Sequence, residues 1–590
     1  MKKLLTGNEA VARGAYEAGV TLASAYPGTP STEILENIAN YKEIYSEWTP
    51  NEKVALEVAL GGAIAGARSI AAMKHVGVNV AADPLFTVAY TGVNGGLVLV
   101  SADDPGMHSS QNEQDNRYYA KSAKFPMLEP SNSEEAKDFT KLAYEISEEY
   151  DVPVLLRLTT RICHSKGLVA FEDRKEVEMK KYEKNIKKYV ASPANGRVMH
   201  VELEKKLKRL EEYSNKISIN KAEYNDTKIG VITSGVAYEY SKEVFGDDVS
   251  FLKLGFTFPV PKDLIKEFAS KVDKLYVIEE LEPYLESEIK AMKIDVIGKD
   301  IIPITGELNP DIIAEAVFGQ KRASVEKNEE KIIARPPTMC AGCPHRGFFY
   351  ELSKRKDLIV TGDIGCYTLG SAPPLNAIET CICMGASISS AHGIAKAYKQ
   401  NNRQQKVFSV IGDSTFFHSG MTGLLDIVYN KGNVTTVILD NRITGMTGHQ
   451  ENPGTGYTLM GEQTEAVDLG KLVNAIGIKH VDIINPLDLE QCKNAIDKAM
   501  KINEPSVIIT KWPCALKKYT NAEKEEYELD RQKCVVDSEV CKKCKMCLKV
   551  GCPAISFNEE TGAVIDQAMC VGCDVCSQVC PFDAIKKVGE

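Results

Sequence analysis

Short apolar runs alternate with long alanine-rich stretches over residues 1–165. "GLVLVSADD" and "VPVLLRLTT" are of the first kind, and "NEKVALEVALGGAIAGARS" is of the second. Brief aliphatic runs closed by polar residues predict buried parallel strands, and the longer stretches predict helices. The pattern turns strongly charged over 166–225 ("EDRKEVEMKKYEKNIKKY", "ELEKKLKRLEEYSNK"), as a surface-helical connector would. Over 226–330 a smaller α/β unit is expected, with strands at "KIGVITSG" and "KLYVIEE". "SVEKNEEKIIARPP" (324–337) reads as a linker. A second large α/β domain follows over 331–529, with strands at "DLIVTGDIG", "KVFSVIGD", "VTTVILDN" and "PSVIITKW". Residues 530–590 form a cysteine-rich module of another kind.

The length of 590 residues agrees with several domains, since one core does not grow so large. An apolar fraction of 44% and a charged fraction of 26% describe a soluble globular chain. A net charge of −10 argues against nucleic acid as the main partner. The lysine-rich run at 180–190 reads as a solvated helix face. No opening signal segment is evident, and apolar runs fall short of the ~20 residues that span a bilayer. A cytoplasmic protein without membrane contact is therefore expected. There, most of the 17 cysteines would be reduced, buried or metal-bound.

Eight cysteines fall in two near-copies of one spacing, "CKKCKMCLKVGCP" and "CVGCDVCSQVCP". C-x2-C-x2-C with a later C-P, given twice, is the two-cluster ferredoxin signature, in which the fourth cysteine of each run serves the other cluster. One [4Fe–4S] cluster would take Cys541, Cys544, Cys547 and Cys580; the other would take Cys570, Cys573, Cys576 and Cys552. Cys₄ zinc is the alternative, and the doubled triplets with C-P weigh against it. The first run carries one more residue than the second before its last cysteine, which bears on the surroundings of the cluster that Cys552 serves.

Upstream, "VFSVIG" runs into Asp413 and "VTTVILD" into Asn441. Neighbouring strand ends of a parallel sheet can supply hard oxygens to one Mg²⁺, with glycines letting phosphates approach the backbone. "GD", then "N" about 28 residues on, resembles the thiamine-diphosphate motif, although Ser414 stands at its third position and the final pair is Asp-Asn. That resemblance implies Asp413, Asn441 and the Ile443 carbonyl as Mg²⁺ ligands, and Gly412, Ser414, Met384 and Gly385 beside the cofactor. Two ordinary strand-end turns are the plainer reading of the same residues.

"SEWTPNEKVALEVALGG", "YPGTPSTE", "MKHVGVNVAADPL" and "CAGCPHRG" resemble the thiamine-diphosphate-dependent 2-oxoacid:ferredoxin oxidoreductases over nearly the whole chain. The resemblance implies two thiamine-binding doubly wound parallel-sheet domains, a small transketolase C-terminal-like α/β domain between them, and an α+β two-cluster ferredoxin domain. It implies Glu52, with Glu57 as competitor, as the carboxyl beside the cofactor pyrimidine, and Thr29 as a contact to the substrate carboxylate. A helix cap is the bland reading of both stretches. His108, Arg117 and Tyr118–Tyr119 could meet an aromatic substrate on a polar loop, whereas Arg161 and His164 receive no role. Cys340, Cys343, Cys366 and Cys514 follow the order of a third, thiamine-proximal cluster, but "CPHR" departs from the family's glycine-rich continuation. His345 could face the cofactor or substrate instead, and buried inert thiols are a common fate.

Within the family, the arrangement resembles the large subunits acting on arylpyruvates (indolepyruvate, phenylpyruvate, hydroxyphenylpyruvate). They work with coenzyme A, a smaller beta subunit and a soluble ferredoxin acceptor. Alternatives are an aliphatic 2-oxoacid substrate, a non-oxidative thiamine-dependent decarboxylase with a vestigial tail, and an electron-transfer subunit with an inactive thiamine fold.

Overall fold

The computed structural model describes residues 1–319, 333, 335–529 and 531–589. They fall in two compact units, Met1–Asn328 and Glu329–Glu590. Most of the stretch expected as a linker, 324–337, lies outside the described residues.

In the first unit the strands are β1 (Lys2–Thr6), β2 (Leu22–Ala25), β3 (Tyr45–Trp48), β4 (Ser69–Lys74), β5 (Leu97–Asp103), β6 (Met127–Leu128), β7 (Val154–Thr159) and β8 (Lys166–Ala170). They continue with β9 (Lys221–Glu223), β10 (Asp226–Ser234), β11 (Val249–Leu254), β12 (Phe256–Phe258) and β13 (Lys274–Ile278). The main sheet has the order β12-β6-β7-β5-β4-β2-β3. All its pairs are parallel except β12 with β6. Strands β4, β5 and β7 are almost wholly buried, which is why they read as continuous apolar runs. The smaller sheet runs β13-β10-β11-β9, and β12 leaves it to extend the main sheet.

The charged stretch 166–225 is built into this unit. Its β8 pairs antiparallel with β1, its β9 edges the smaller sheet, and helix Pro193–Ser214 buries Met199, Leu203 and Leu210. One narrow apolar stripe on an otherwise charged helix is what a run of Lys and Glu conceals.

Buried ion pairs hold the two sheets together. Arg117, 1% exposed, donates to Asp115 and Glu279 at 2.6 Å each and to the carbonyls of Glu280 and Glu282. Arg157 bridges Asp103 and Glu129 beside it. Arg117 is thus a structural cation, and not the open-loop substrate contact that its polar sequence context suggested.

In the second unit β14 (Leu358–Gly362), β15 (Thr380–Cys381), β16 (Lys406–Gly412), β17 (Val434–Asp440), β18 (His480–Ile484) and β19 (Ser506–Lys511) form a parallel sheet ordered β15-β14-β16-β17-β19-β18. The tail adds two antiparallel ribbons, β20 (Cys534–Val536) with β23 (Ile585–Lys587) and β21 (Ile555–Asn558) with β22 (Gly562–Ile565). Val550, Val575 and Val579 of the tail share a core with Phe348, Leu487 and Leu489. The Gln578 amide accepts from the Leu489 N–H at 2.9 Å and donates to the Leu487 carbonyl at 2.8 Å. The tail therefore docks on the sheet domain of its own chain.

Arg117→Met leaves Asp115 and Glu279 buried without their cation. A loss of about 3–5 kcal/mol is expected for breaking such a pair, read as a lower denaturant midpoint for the purified chain.

Candidate functional site

The parallel register of β16 on β17, Gly412 opposite Leu439, sets Asp413 beside Asp440 and Asn441 at the carboxyl edge of the second unit's sheet. All three side chains are buried. Burial, and then the adjacent Asp440 charge, push the Asp413 carboxyl above the usual carboxylate range, and burial raises Asp440 as well. Two buried carboxyls that oppose one another's ionisation fit a site built for a divalent cation. The Asn452 amide donates to Asp413 Oδ2 at 3.2 Å, Asn441 Oδ1 accepts from the Ile443 N–H at 3.2 Å, and Thr444 donates to the Ser414 hydroxyl at 2.9 Å. A Cβ on Gly412 would stand 2.6 Å from Tyr367, so only glycine lets that ring cross the strand end.

Met384 and Gly385 open helix Ala386–Gln400. Gly385 has φ +86°, and a Cβ there would stand 2.6 Å from that of Ser419. Asp363, at the end of β14, accepts the Gly385 and Ser387 N–H groups at 2.9 and 3.0 Å. It holds this turn and was not singled out in the sequence, although its "GDIG" has the same strand-end Gly-Asp as "IGDS".

The cysteines gather in three sets. Cys541, Cys544, Cys547 and Cys580 line one empty volume of about 350 Å³, part of it open to solvent. Among the described residues no three His, Cys, Asp or Glu side chains converge on a single metal ion. Four thiols around one common space suit a polynuclear cluster. The Ala584 N–H donates to Cys580 Sγ and the Cys534 N–H to Cys570 Sγ, each at 3.4 Å. Cys552 and Cys570 lie within electrostatic reach of Cys573. Buried Cys534 on β20 is a fifth thiol there, paired with Cys576; standing outside the repeated motif, it gave no spacing signal.

Cys340, Cys343, Cys366 and Cys514 also come together. Cys343 and Cys366 each interact electrostatically with Cys514 and Cys340, and Cys514 with Cys340. Burial pushes the Cys343 thiol up to about 12 and that of Cys366 up to about 11. This set adjoins the Asp413 site: the Cys514 N–H donates to the Asn441 carbonyl at 2.9 Å. A Cβ on Gly445 would lie 3.6 Å from Asn441 Nδ2 and 3.8 Å from Cys366 Sγ. His345 is buried edge-on to Tyr367, and burial takes its imidazole down to about 4.

In the first unit, the carboxyl ends of β2, β4 and β5 bring together Thr29, Lys74, Asp104 and Ser109. Lys74 Nζ donates to the Ser109 carbonyl at 3.0 Å, and the Ser109 hydroxyl to the Thr29 carbonyl at 3.2 Å. Burial lowers the Lys74 ammonium against the raising influence of Asp104 and Glu52. Glu52 is buried at the first turn of helix Glu52–Ala65, against Gly77. Glu57 instead forms an exposed pair with Lys53.

The helix after "YPGTPS" is not capped as its sequence suggested: the Ser31 hydroxyl turns back to the Gly28 carbonyl at 2.8 Å. Arg161 and His108 both pair with Glu307, and His164 lies 3.7 Å from Glu33. Tyr118 packs edge-on against Tyr284, and Tyr119 donates to Asn79 at 2.7 Å.

Family models match three stretches: the thiamine-diphosphate-binding region of pyruvate flavodoxin/ferredoxin oxidoreductases over 13–229, the C-terminal domain of thiamine pyrophosphate enzymes over 363–510, and a 4Fe-4S binding domain over 563–586. Together with the sheets and the cysteine sets they define the class: a thiamine-diphosphate-dependent 2-oxoacid:ferredoxin oxidoreductase with [4Fe–4S] clusters. The chain is 40% identical to the indolepyruvate oxidoreductase subunit IorA of Archaeoglobus fulgidus, over 99% of its own length and 97% of the relative. The IorA subunits of Methanothermobacter marburgensis and Pyrococcus horikoshii are 41% and 40% identical, over 99% and 100% of this chain and 97% of each relative. It belongs to the indolepyruvate oxidoreductase IorA family. No helix among the described residues is long and apolar enough to cross a membrane.

Gly385→Ala adds a Cβ in a left-handed turn and against Ser419. Such strain costs about 1–3 kcal/mol, read as a lower denaturant midpoint for the purified chain.

Proposed function

We propose that this chain is the catalytic subunit of an enzyme that oxidatively decarboxylates arylpyruvates with coenzyme A, giving arylacetyl-CoA and CO₂, and that it passes the electrons to ferredoxin. A smaller beta subunit completes it. The observation that carries the reading is the near-full-length similarity to relatives named indolepyruvate oxidoreductase subunits.

Asp413, Asn441 and the Ile443 carbonyl would hold Mg²⁺, and through it the diphosphate; the buried Asp413–Asp440 pair supports this. Thiamine diphosphate, when bound, supplies the electron sink for loss of CO₂ from the 2-oxoacid. Glu52 holds a proton at the pyrimidine N1′, a role its burial at a helix start supports and the exposed Glu57 does not share. Thr29 binds the substrate carboxylate from its turn after β2. The two ferredoxin-type sets hold [4Fe–4S] clusters with the pairing Cys541/544/547/580 and Cys570/573/576/552, and the common cavity of the first set supports that exchange of fourth ligands. Cys340, Cys343, Cys366 and Cys514 hold a third cluster, supported by their convergence next to the Asn441 loop. Each cluster accepts one electron, so the two electrons of the oxidation leave one at a time.

Assayed anaerobically with its partner subunit, the chain should reduce ferredoxin with indolepyruvate and phenylpyruvate in preference to pyruvate and 2-oxoglutarate, and only with coenzyme A present. Equal rates on aliphatic substrates would discard the aryl reading; turnover without coenzyme A would discard the acyl-transfer step. Glu52→Gln should lower turnover about 10²–10⁴-fold while thiamine diphosphate still binds by calorimetry.

A further inference from the structure

Arg346 begins three residues after Cys343 and is 2% exposed. One end of its guanidinium donates to the Met339 and Cys340 carbonyls at 2.7 and 2.9 Å. The other donates to the Val550 carbonyl at 3.1 Å and to that of Gly551. The first two carbonyls belong to the loop carrying Cys340 and Cys343, and the last two to the loop that ends in Cys552. A single planar fork thus ties the third cysteine set to the second-run set. The loops also pack directly: a Cβ on Gly342 would fall inside Val571, which lies between Cys570 and Cys573.

The charge balance points the same way. Among the described residues, the four acceptors of Arg346 are main-chain carbonyls and its Nε has no hydrogen-bond partner. A buried guanidinium without a carboxylate is costly unless another anion faces it. Cys343 lies within its electrostatic reach, and four thiolates around a cluster supply negative charge on both sides of the clamp. The loop with the extra residue between Cys547 and Cys552 is the one that presents the two carbonyls. Gly551 there has φ +70°, and a Cβ would come within 2.8 Å of Pro374 and 3.4 Å of Arg346 Nη1.

We propose that Arg346 is the positioning residue for electron transfer between the third cysteine site and the Cys552/Cys570/Cys573/Cys576 cluster. It fixes the two ligand loops against each other and supplies the positive charge that the two anionic centres share. The step moves one electron from one cluster to the other, with no bond made or broken and no proton needed. The inference rests on the reading that Cys340, Cys343, Cys366 and Cys514 hold a cluster.

The test uses the full chain with its partner subunit, as wild type, R346K, R346Q and G551A. Iron analysis comes first: three clusters require about twelve iron atoms per chain. About eight in the wild type, for two clusters, would overturn the third site and this inference with it. With full iron, R346Q should lower the potential of at least one of the two clusters in an EPR-monitored titration. A tenfold change in the equilibrium constant is about 59 mV for one electron. The magnetic interaction between the two reduced clusters should weaken, and after mixing with 2-oxoacid the second-run cluster should reduce about tenfold more slowly. R346K should restore the potential but only part of the rate; G551A should slow the transfer without moving the third site's potential. Unchanged potentials, interaction and rates in R346Q overturn the proposal. If R346Q loses iron, unchanged transfer in both R346K and G551A overturns it instead.

Discussion

The pairing of β16 with β17 is the constraint on which the second unit's chemistry depends. Parallel register sets Gly412 against Leu439, so Asp413 leaves β16 beside Asp440, the last residue of β17, and Asn441 just past it. Parallel strands present carboxyl ends along one edge, and at that edge polar groups can converge without interrupting the ladder below. Much of the neighbouring structure is then referred to this pair. Asn452 reaches back to Asp413, the Cys514 N–H donates to the Asn441 carbonyl, and Asp363, just past the adjoining β14, fixes the Gly385 turn. Displacing one strand by a residue would separate the carboxylates and move Cys514 away from its partners.

The second requirement is to hold concentrated negative charge in a buried place. Around the cysteines this is met mostly by the backbone, whose N–H groups donate to Cys570 and Cys580. At the junction of the third set with the tail, the buried Arg346 donates to main-chain carbonyls of both loops. The tail's attachment to its own sheet domain is mixed in kind: valines in a shared core, the Gln578 amide across a loop, and the Arg346 fork. In the first unit the corresponding charges are carboxylates, and the answer is different. Arg117 and Arg157 are surrounded by acidic side chains in a closed network that joins the main and smaller sheets.

Much of this was legible in advance. The strands at "GLVLV", "VPVLLRLT", "VFSVIG" and "VTTVILD" lie where their apolar runs put them, because a strand buried on both faces has no polar positions to obscure it. The doubled cysteine spacing marked the tail because ligands on one short loop must be close in sequence. The charged stretch 166–225 was less legible: its helix buries a narrow stripe and its two strands are edges, so composition hid their place in the first unit. Arg117 read as an open-loop residue because nothing local announces Glu279, which lies 162 positions away.

The sequence by itself determined the classes of chemistry: two α/β sheets with polar strand ends, two cysteine runs at cluster spacing, and four further cysteines scattered between 340 and 514. These are properties of local pattern, set by side-chain period and by the reach of a ligand loop. Only the tertiary structure decided that Cys340, Cys343, Cys366 and Cys514 meet, that they meet beside Asn441, and that Arg346 joins them to the loop ending in Cys552. Those facts depend on strand order and on the docking of the tail, where residues up to 205 positions apart share one hydrogen-bonded group. Chain pattern fixes what each segment can do; which segments do it together follows from packing.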